Sequence, residues 1–209
     1  MTVVVVDAYD ASDPALVNSH WVAERTAHRL GAVAHSLQGS AVTRTQVEQH
    51  LKDASVTGVV YCGHGRADAL VYAGNAVFDL HNLATIGPRW FHAFACNSGN
   101  RLALTAPREG VDVYLGYNRP VVVEWTVEHL PEALATVLED IVTVATLRLH
   151  QGVRSRRDLA NAVETAYDAW IAWCLAHEDA PLELNEQLGL HALRRLFECM
   201  ELHGQHVTD

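Results

Sequence analysis

The sequence predicts an α/β fold in which helices cover both faces of a mainly parallel central sheet, a three-layer α/β/α sandwich. Short runs of β-branched and apolar residues alternate along the chain with stretches whose apolar residues recur at helical spacing. This alternation is typical of parallel sheets, because helices connect their successive strands. Hydrophobic residues make up 49% of the 209 residues and charged residues 19%, which suits a globule with a full core.

The strands are predicted from apolar runs, of which the first, Val3 to Val6, is the most continuous. A turn that contains Gly74 indicates a small hairpin. The predicted strands span residues 3–6, 56–62, 89–95 and 111–116, the hairpin spans 70–78, and a short edge segment spans 121–123.

The helices are predicted from apolar spacing and capping residues. Asp13 and Pro14 suit the N-cap and first position of a helix that Gly31 ends. Thr45 and Glu48 form a capping box for the next helix. The predicted helices span residues 16–30, 45–54, 79–86, 100–106, 130–149, 155–174 and 188–200.

Charge and cysteine content limit the classes of partner and compartment. The 15 basic and 25 acidic residues give a net charge of −10, which disfavours nucleic acid and anionic membranes as partners. The four cysteines form no C-x-x-C pair and do not resemble a disulfide scaffold, so we expect a reducing, cytoplasmic environment. The first residues are typical of a strand rather than a signal peptide, and no apolar run is long enough to span a membrane.

Two motifs follow predicted buried strands, Tyr-Cys-Gly-His-Gly at residues 61–65 and Phe-Ala-Cys-Asn-Ser-Gly at residues 94–99. Functional sites in parallel sheets form at the carboxyl ends of the strands. If these two strands are neighbours, His64 and Cys96 meet there although they are far apart in the sequence. The sequence therefore predicts a cysteine nucleophile with a histidine beside it.

The residue types around this pair suit thiol chemistry. A thiolate is the reactive form of cysteine, and both His64 and the start of the predicted helix after Cys96 favour it. The glycines that flank His64 allow the backbone to approach a substrate carbonyl. The backbone N–H groups of Gly65 and Cys96 are the candidate oxyanion hole, where each donor contributes roughly 3 kcal/mol.

The two motifs resemble those of the caspase-like (clan CD) cysteine peptidases, and most closely the bacterial CHAT-type members related to separase. The resemblance covers about residues 3–175 and implies a caspase-like fold with His64 as catalytic histidine, Cys96 as nucleophile and Gly65 in the oxyanion hole. Phe94 stands where caspases have glutamine, and the histidine lies closer to the cysteine than the caspase spacing of about 50 residues. Caspase specificity for aspartate is therefore not expected.

The resemblance implies a cysteine endopeptidase that acts on a protein substrate without metal or cofactor, under control of a regulatory protein partner in a bacterial regulatory or defence system. Residues 1–178 would form the peptidase domain and 179–209 a helical extension. Family position makes Asp7 a candidate for the S1 pocket, and Glu124 is a second one. A carboxylate there favours arginine or lysine at P1, the substrate residue before the cleaved bond.

Several alternatives remain open at the level of sequence. The chain fits a non-catalytic caspase-like binding module, or an amidase or acyltransferase that uses the same dyad on small molecules. Cys62 is either a second reactive thiol or a core residue. His92 is spaced for metal binding with Cys96, but no fourth ligand is evident, so no metal site is predicted.

Overall fold

The computed structural model describes residues 1–87, 89–121, 132–176, 198–204 and 207–208, except for the side chains of residues 132–134 and 174. Within these residues, six strands form a mainly parallel sheet with helices on both faces. The predicted three-layer α/β/α arrangement is therefore confirmed. A separate three-stranded antiparallel sheet lies beside it.

The regular elements follow the predicted alternation. The strands are β1 (Thr2–Asp7), β2 (Ala34–Gln38), β3 (Val56–Cys62), β4 (His64–Gly65), β5 (Ala69–Tyr72), β6 (Asn75–Asp79), β7 (Trp90–Phe94), β8 (Val113–Tyr117) and β9 (Met200–Gly204). The helices are α1 (Val17–Leu30), α2 (Arg44–Leu51), α3 (Arg101–Thr105), α4 (Glu132–His150) and α5 (Arg156–Ala176).

The central sheet has the strand order β2-β1-β3-β7-β8-β9. All neighbours pair in parallel except β9, which runs antiparallel to β8. Strands β3 and β7 are adjacent, which is the condition under which His64 and Cys96 were expected to meet, and Cys62 at the end of β3 pairs with Phe94 at the end of β7. The two motifs therefore leave the sheet side by side at its carboxyl edge.

Alternate residues of the strands supply two apolar cores, because successive strand side chains point to opposite faces. Val3 and Val5 of β1 pack on one face with residues of α1, α4 and α5. Val4 and Val6 pack on the other face with residues of α2, α3 and the β5–β6 hairpin. All four valines are at most 1% exposed. The continuous valine run thus reflects a strand that is buried on both faces.

Strand β2 escapes prediction because it lies at the sheet edge, where only its Leu37 is buried and its other residues are polar or small. Helix α2 is capped by Thr43 and not by Thr45. The Oγ1 of Thr43 accepts a hydrogen bond from the backbone N–H of Gln46 at 3.2 Å. Thr43 and Gln46 have the same spacing as the predicted pair, but two residues earlier.

The end of the chain also differs from the prediction. Met200, which was expected in the last helix, begins β9 at the edge of the central sheet. The expected helical residues 188–197 lie outside the described residues, and so do residues 122 and 123 of the edge segment. The division into 1–178 and 179–209 stays a prediction.

Candidate active site

Cys96 lies in the turn that follows β7, and buried hydrogen bonds fix this turn. The Oγ of Ser98 donates to the carbonyl of Ala95 at 2.7 Å and accepts from the N–H of Tyr117 at 3.2 Å. The N–H of Gly99 donates to the carbonyl of Tyr117 at 2.8 Å. A Cβ at Gly99 would lie only 2.7 Å from the carbonyl carbon of Tyr117, so this position requires glycine. The turn is thereby fastened to β8.

The sulfur of Cys96 is half-buried and has a backbone partner. The N–H of Val121 donates to Sγ at 3.3 Å, while Sγ lies 3.8 Å from the carbonyl oxygen of the same residue. Helix α3 begins only at Arg101 and has five residues, so its dipole contributes less at the sulfur than the sequence suggested. The N–H of Val121 is instead the polar group that lies closest to the sulfur.

His64 is held at the carboxyl edge by β4, a strand of only two residues. It pairs with Val71 of β5, and 48% of its side-chain surface is exposed. Its Nε2 lies 2.7 Å from Oδ2 of Asp13. Because a carboxylate only accepts, Nε2 donates in this bond, and the neutral imidazole then keeps Nδ1 free of a proton. This is the tautomer that a general base needs.

Asp13 is the residue of the site that sequence reasoning missed. It caps the 3₁₀ turn Pro14–Leu16, as its position before Pro14 predicted, and its Oδ1 accepts from the N–H of Ala15 at 3.0 Å. Its other oxygen orients His64. The bond from His64, and then the one from Ala15, lower the pKa of the Asp13 carboxyl below its ordinary value. Asp13 is therefore a carboxylate at neutral pH.

The two motifs are in direct backbone contact. The N–H of Gly63 donates to the carbonyl of Phe94 at 3.3 Å. A Cβ added to Gly65 would lie 2.3 Å from the carbonyl oxygen of Cys96, so the histidine strand can approach the cysteine turn only with glycine there. His64 and Cys96 border one cavity of about 110 Å³. Its lining residues are Ala15, Leu16, Ser19, Gly63, His64, Phe94, Ala95, Cys96 and Val121.

The direction of the Gly65 N–H follows from the hydrogen-bond pattern of the β4–β5 pair. The N–H of Arg66 bonds to the carbonyl of Ala69, and His64 lies opposite Val71. Bonded and non-bonded pairs alternate along antiparallel strands, so Gly65 occupies a non-bonded position. Its N–H therefore points away from β5 and is not used in the β4–β5 pair.

Asp7, the first candidate for the S1 pocket, ends β1 and is buried, with 1% of its side chain exposed. Its Oδ2 accepts from Nδ1 of His20 at 2.6 Å and from Nε2 of Gln38 at 3.0 Å. Oδ1 has no hydrogen-bond partner among the described residues. Burial raises the pKa of this carboxyl, although the His20 bond opposes the shift. Asp7 does not line the cavity that His64 and Cys96 share. Glu124 lies outside the described residues.

Two other residues considered in the sequence belong to the core. Cys62 is fully buried, and burial raises the pKa of its thiol well above the ordinary value. His92 is buried between the hydroxyls of Thr146, 2.6 Å away, and Tyr117, 3.0 Å away, and burial lowers its pKa to about 3. Neither lines the cavity. The described residues contain no cluster of three or more metal-ligating side chains.

Comparisons with known proteins identify the architecture. No protein-family model and no curated protein matches the chain. The chain is similar to the crystal structure of the Arg-specific cysteine proteinase gingipain R (RgpB), with a TM-score of 0.52 and 11% identity, over 97% of this chain and 45% of that chain. A complex of the pro- and mature domains of RgpB from Porphyromonas gingivalis matches with a TM-score of 0.48 and 10% identity, over 97% and 47%.

The chain thus spans less than half the length of either matched chain. At this identity, the likeness to gingipain R establishes the fold, which is the caspase-like sandwich predicted from the two motifs. In the part of the chain that is described, no helix has the length and apolar character needed to cross a membrane.

Proposed function

We propose that this protein is a cysteine endopeptidase in which Cys96 is the nucleophile and His64 the acid and base. The observation that carries the proposal is the cavity at the carboxyl edge of the sheet, which His64 and Cys96 both border. The carboxylate of Asp13, 2.7 Å from Nε2 of His64, completes a nucleophile, base and orienting group. The likeness of the fold to a cysteine proteinase is consistent with this chemistry.

The reaction follows from the proton positions. The Cys96 thiolate attacks the scissile carbonyl carbon, and the imidazolium of His64 gives its proton to the leaving amine as the C–N bond breaks. The thioester that remains is hydrolysed by water, whose proton His64 accepts. The products are a carboxylic acid and the free thiol. Asp13 keeps Nε2 protonated throughout, so Nδ1 carries the transferred proton.

The tetrahedral intermediate needs donors for its oxyanion. The proposal assigns this role to the backbone N–H groups of Gly65 and Cys96, whose segments are in contact. Two donors at roughly 3 kcal/mol each would account for much of the rate enhancement in such a site. No metal or organic cofactor takes part, so a chelator should leave the activity unchanged.

The test is digestion of a denatured protein pool followed by identification of the new N-termini. Wild type should cleave, Cys96→Ala should not, and Cys62→Ala should retain activity because that thiol is buried in the core. Equal cleavage by wild type and Cys96→Ala would refute the proposal. Cleavage of small amides alone would favour the amidase alternative, and the lack of any His64-dependent reactivity at Cys96 would favour the binding module.

We further propose that the enzyme prefers arginine or lysine at P1, with Asp7 and Glu124 as acidic residues of the S1 pocket. The support is that Asp7 lies opposite Cys62 at the carboxyl edge of the sheet, and that its Oδ1 lacks a partner among the described residues. Because Asp7 is buried and lies outside the cavity of His64 and Cys96, this role requires that substrate binding expose its carboxylate. The fold neighbour gingipain R is described as Arg-specific.

A fluorogenic peptide panel tests this preference, with Asp7→Asn as the variant and Asp10→Asn as a control in the exposed loop that follows. A preference for aspartate or apolar P1 residues would remove Asp7 from this role.

The motif resemblance supports a finer assignment to the CHAT-type, separase-related peptidases, which act in the bacterial cytoplasm under control of a partner protein. A resting enzyme of this kind should react slowly with a peptide electrophile when pure and faster in a lysate that contains its partner. Equal rates in the two conditions would contradict partner control.

A further inference from the structure

Tyr61 is a fully buried tyrosine near the end of β3, three residues before His64. Its hydroxyl donates to the carbonyl of Val71 at 2.7 Å and lies 3.3 Å from the carbonyl of His64. A hydroxyl has one proton, so the bond to Val71 is the main one and the contact with His64 is weaker. These two carbonyls belong to residues that face each other in the β4–β5 pair.

The need for such a contact follows from the size of β4. A two-residue strand has few hydrogen bonds of its own, and it carries a half-exposed imidazole. Gly63 enters this strand over the tyrosine, since a Cβ there would lie 3.0 Å from the Tyr61 hydroxyl. The ring is also packed edge-on against Phe78 of β6. One rigid core residue therefore contacts the segment before, within and opposite the histidine strand.

We infer that Tyr61 is a positioning residue. Through the β4–β5 pair, it fixes the position of the His64 backbone relative to Cys96. It touches no reacting atom and acts only through the backbone of His64 and Val71. The inference rests on the proposed function for its effect on catalysis. Its effect on the hairpin is independent of that function.

The chain provides a matched control in Tyr114 of β8. This tyrosine is also fully buried, but its hydroxyl has no hydrogen-bond partner in the part of the chain that is described. Tyr61→Phe and Tyr114→Phe remove the same atom from a buried ring, and phenylalanine fills nearly the same space. Only the first variant loses a bond to the histidine strand.

The experiment compares these two variants by steady-state kinetics, by amide hydrogen exchange of residues 64–72, and by the pH dependence of Cys96 alkylation. We expect Tyr61→Phe to lower kcat by about tenfold with KM unchanged, because the base is displaced while the substrate contacts remain. Tyr61→Phe should also accelerate amide exchange of residues 64–72 and shift the pH dependence of Cys96 alkylation. Tyr114→Phe should behave as wild type in all three measurements.

The inference is overturned if Tyr61→Phe matches Tyr114→Phe in both hydrogen exchange and alkylation. If wild type cleaves no peptide, the proposed function fails, but exchange and alkylation still decide the role of Tyr61. Should Tyr61→Phe not fold, 3-fluorotyrosine in place of Tyr61 or Tyr114 keeps the ring and strengthens the donor. Slower exchange of residues 64–72 in the first protein alone is then the expected result, and equal exchange in both would overturn the inference.

Discussion

The cysteine turn and the histidine strand are held in different ways although they meet in one cavity. The turn at Cys96 is fastened to β8 by buried bonds of Ser98 and Gly99. His64 lies on a two-residue strand with about half of its side chain exposed, and its partner Asp13 lies in a loop with 39% of its side chain exposed. The proposed nucleophile is therefore held by a turn that is bonded to the core, whereas the side chain of the proposed base is placed by a few contacts at the surface.

This difference indicates where substitutions act on stability and where they act on activity. A change in the cysteine turn disturbs packed backbone, so it should lower the free energy of unfolding and activity together. The side chains of His64 and Asp13 are 48% and 39% exposed, so a change in either one should lower activity while the fold remains. The candidate site thus combines a firmly held Cys96 turn with a His64 side chain whose orientation can change separately.

The largest effect is expected from Gly99→Ala, which changes the buried turn that contains Cys96. The added Cβ would lie 2.7 Å from the backbone of Tyr117, and relief of this overlap should cost about 1–3 kcal/mol or more of unfolding free energy. Chemical denaturation measures this loss, and peptide cleavage should fall with it. Gly152→Ala is the control for a stability loss far from the cavity: its Cβ meets nothing within 4 Å, but its φ of 90° strains alanine, so this variant should lose stability while the folded protein keeps its activity. A Gly99→Ala protein with wild-type stability would contradict the rigid turn.

The next largest effect is expected from Asp13→Asn, which changes the exposed partner of His64. Asparagine can still cap the following turn, but the hydrogen bond from Nε2–H of His64 then goes to a neutral amide and no longer to a carboxylate. We expect kcat to fall by at least about tenfold, which is about 1.4 kcal/mol of transition-state stabilisation. The melting temperature should stay close to that of wild type.

The matched control for this variant is Asp10→Asn in the same loop. Asp10 accepts from the backbone and hydroxyl of Ser12. Its variant should keep the wild-type kcat. If Asp10→Asn and Asp13→Asn reduced kcat equally, loop disturbance rather than orientation of His64 would explain the loss.

A smaller effect, of opposite sign, is expected from Asp7→Asn. Burial raises the pKa of Asp7 above its ordinary value of 3.8, so the folded protein binds this proton more tightly than the unfolded chain does. The destabilisation caused by the buried charge is then complete above the folded pKa and disappears as pH falls below the unfolded pKa. Asp7→Asn should therefore raise Tm at pH 7 by a few degrees, and the gain should shrink towards pH 3.8. A lower Tm for the variant at pH 7 would contradict this account.

The sequence predicted that the side chains of His64 and Cys96 lie at the same edge of the sheet, and both border one cavity there. His64 and Cys96 each follow an apolar run, and the carboxyl ends of parallel neighbours must share an edge, so their approach needed no knowledge of loops. The partner of His64 could not be found in this way, because Asp13 reaches it only through the path of the loop after β1. Its capping role could be predicted from Pro14, but a capping residue gives no sign that its second carboxylate oxygen contacts His64.

The same physical distinction applies to the fold. Strands β1, β3 and β7 were predicted because burial on both faces requires continuous apolar residues. Strands β2 and β9 lie at the two edges of the sheet, where a polar sequence is tolerated and pairing depends on residues distant in the chain. The positioning contact of Tyr61 was equally hidden, since a tyrosine in a buried strand is ordinarily a packing residue.

The most direct test of the account is the rate at which a peptidyl electrophile modifies Cys96, measured by mass spectrometry in wild type and in His64→Ala. We expect modification at Cys96 and not at the buried Cys62, with a rate that falls by about 10²-fold or more without His64. Equal rates in the two proteins, or modification of Cys62 as fast as that of Cys96, would contradict the pairing of a thiol nucleophile with this histidine.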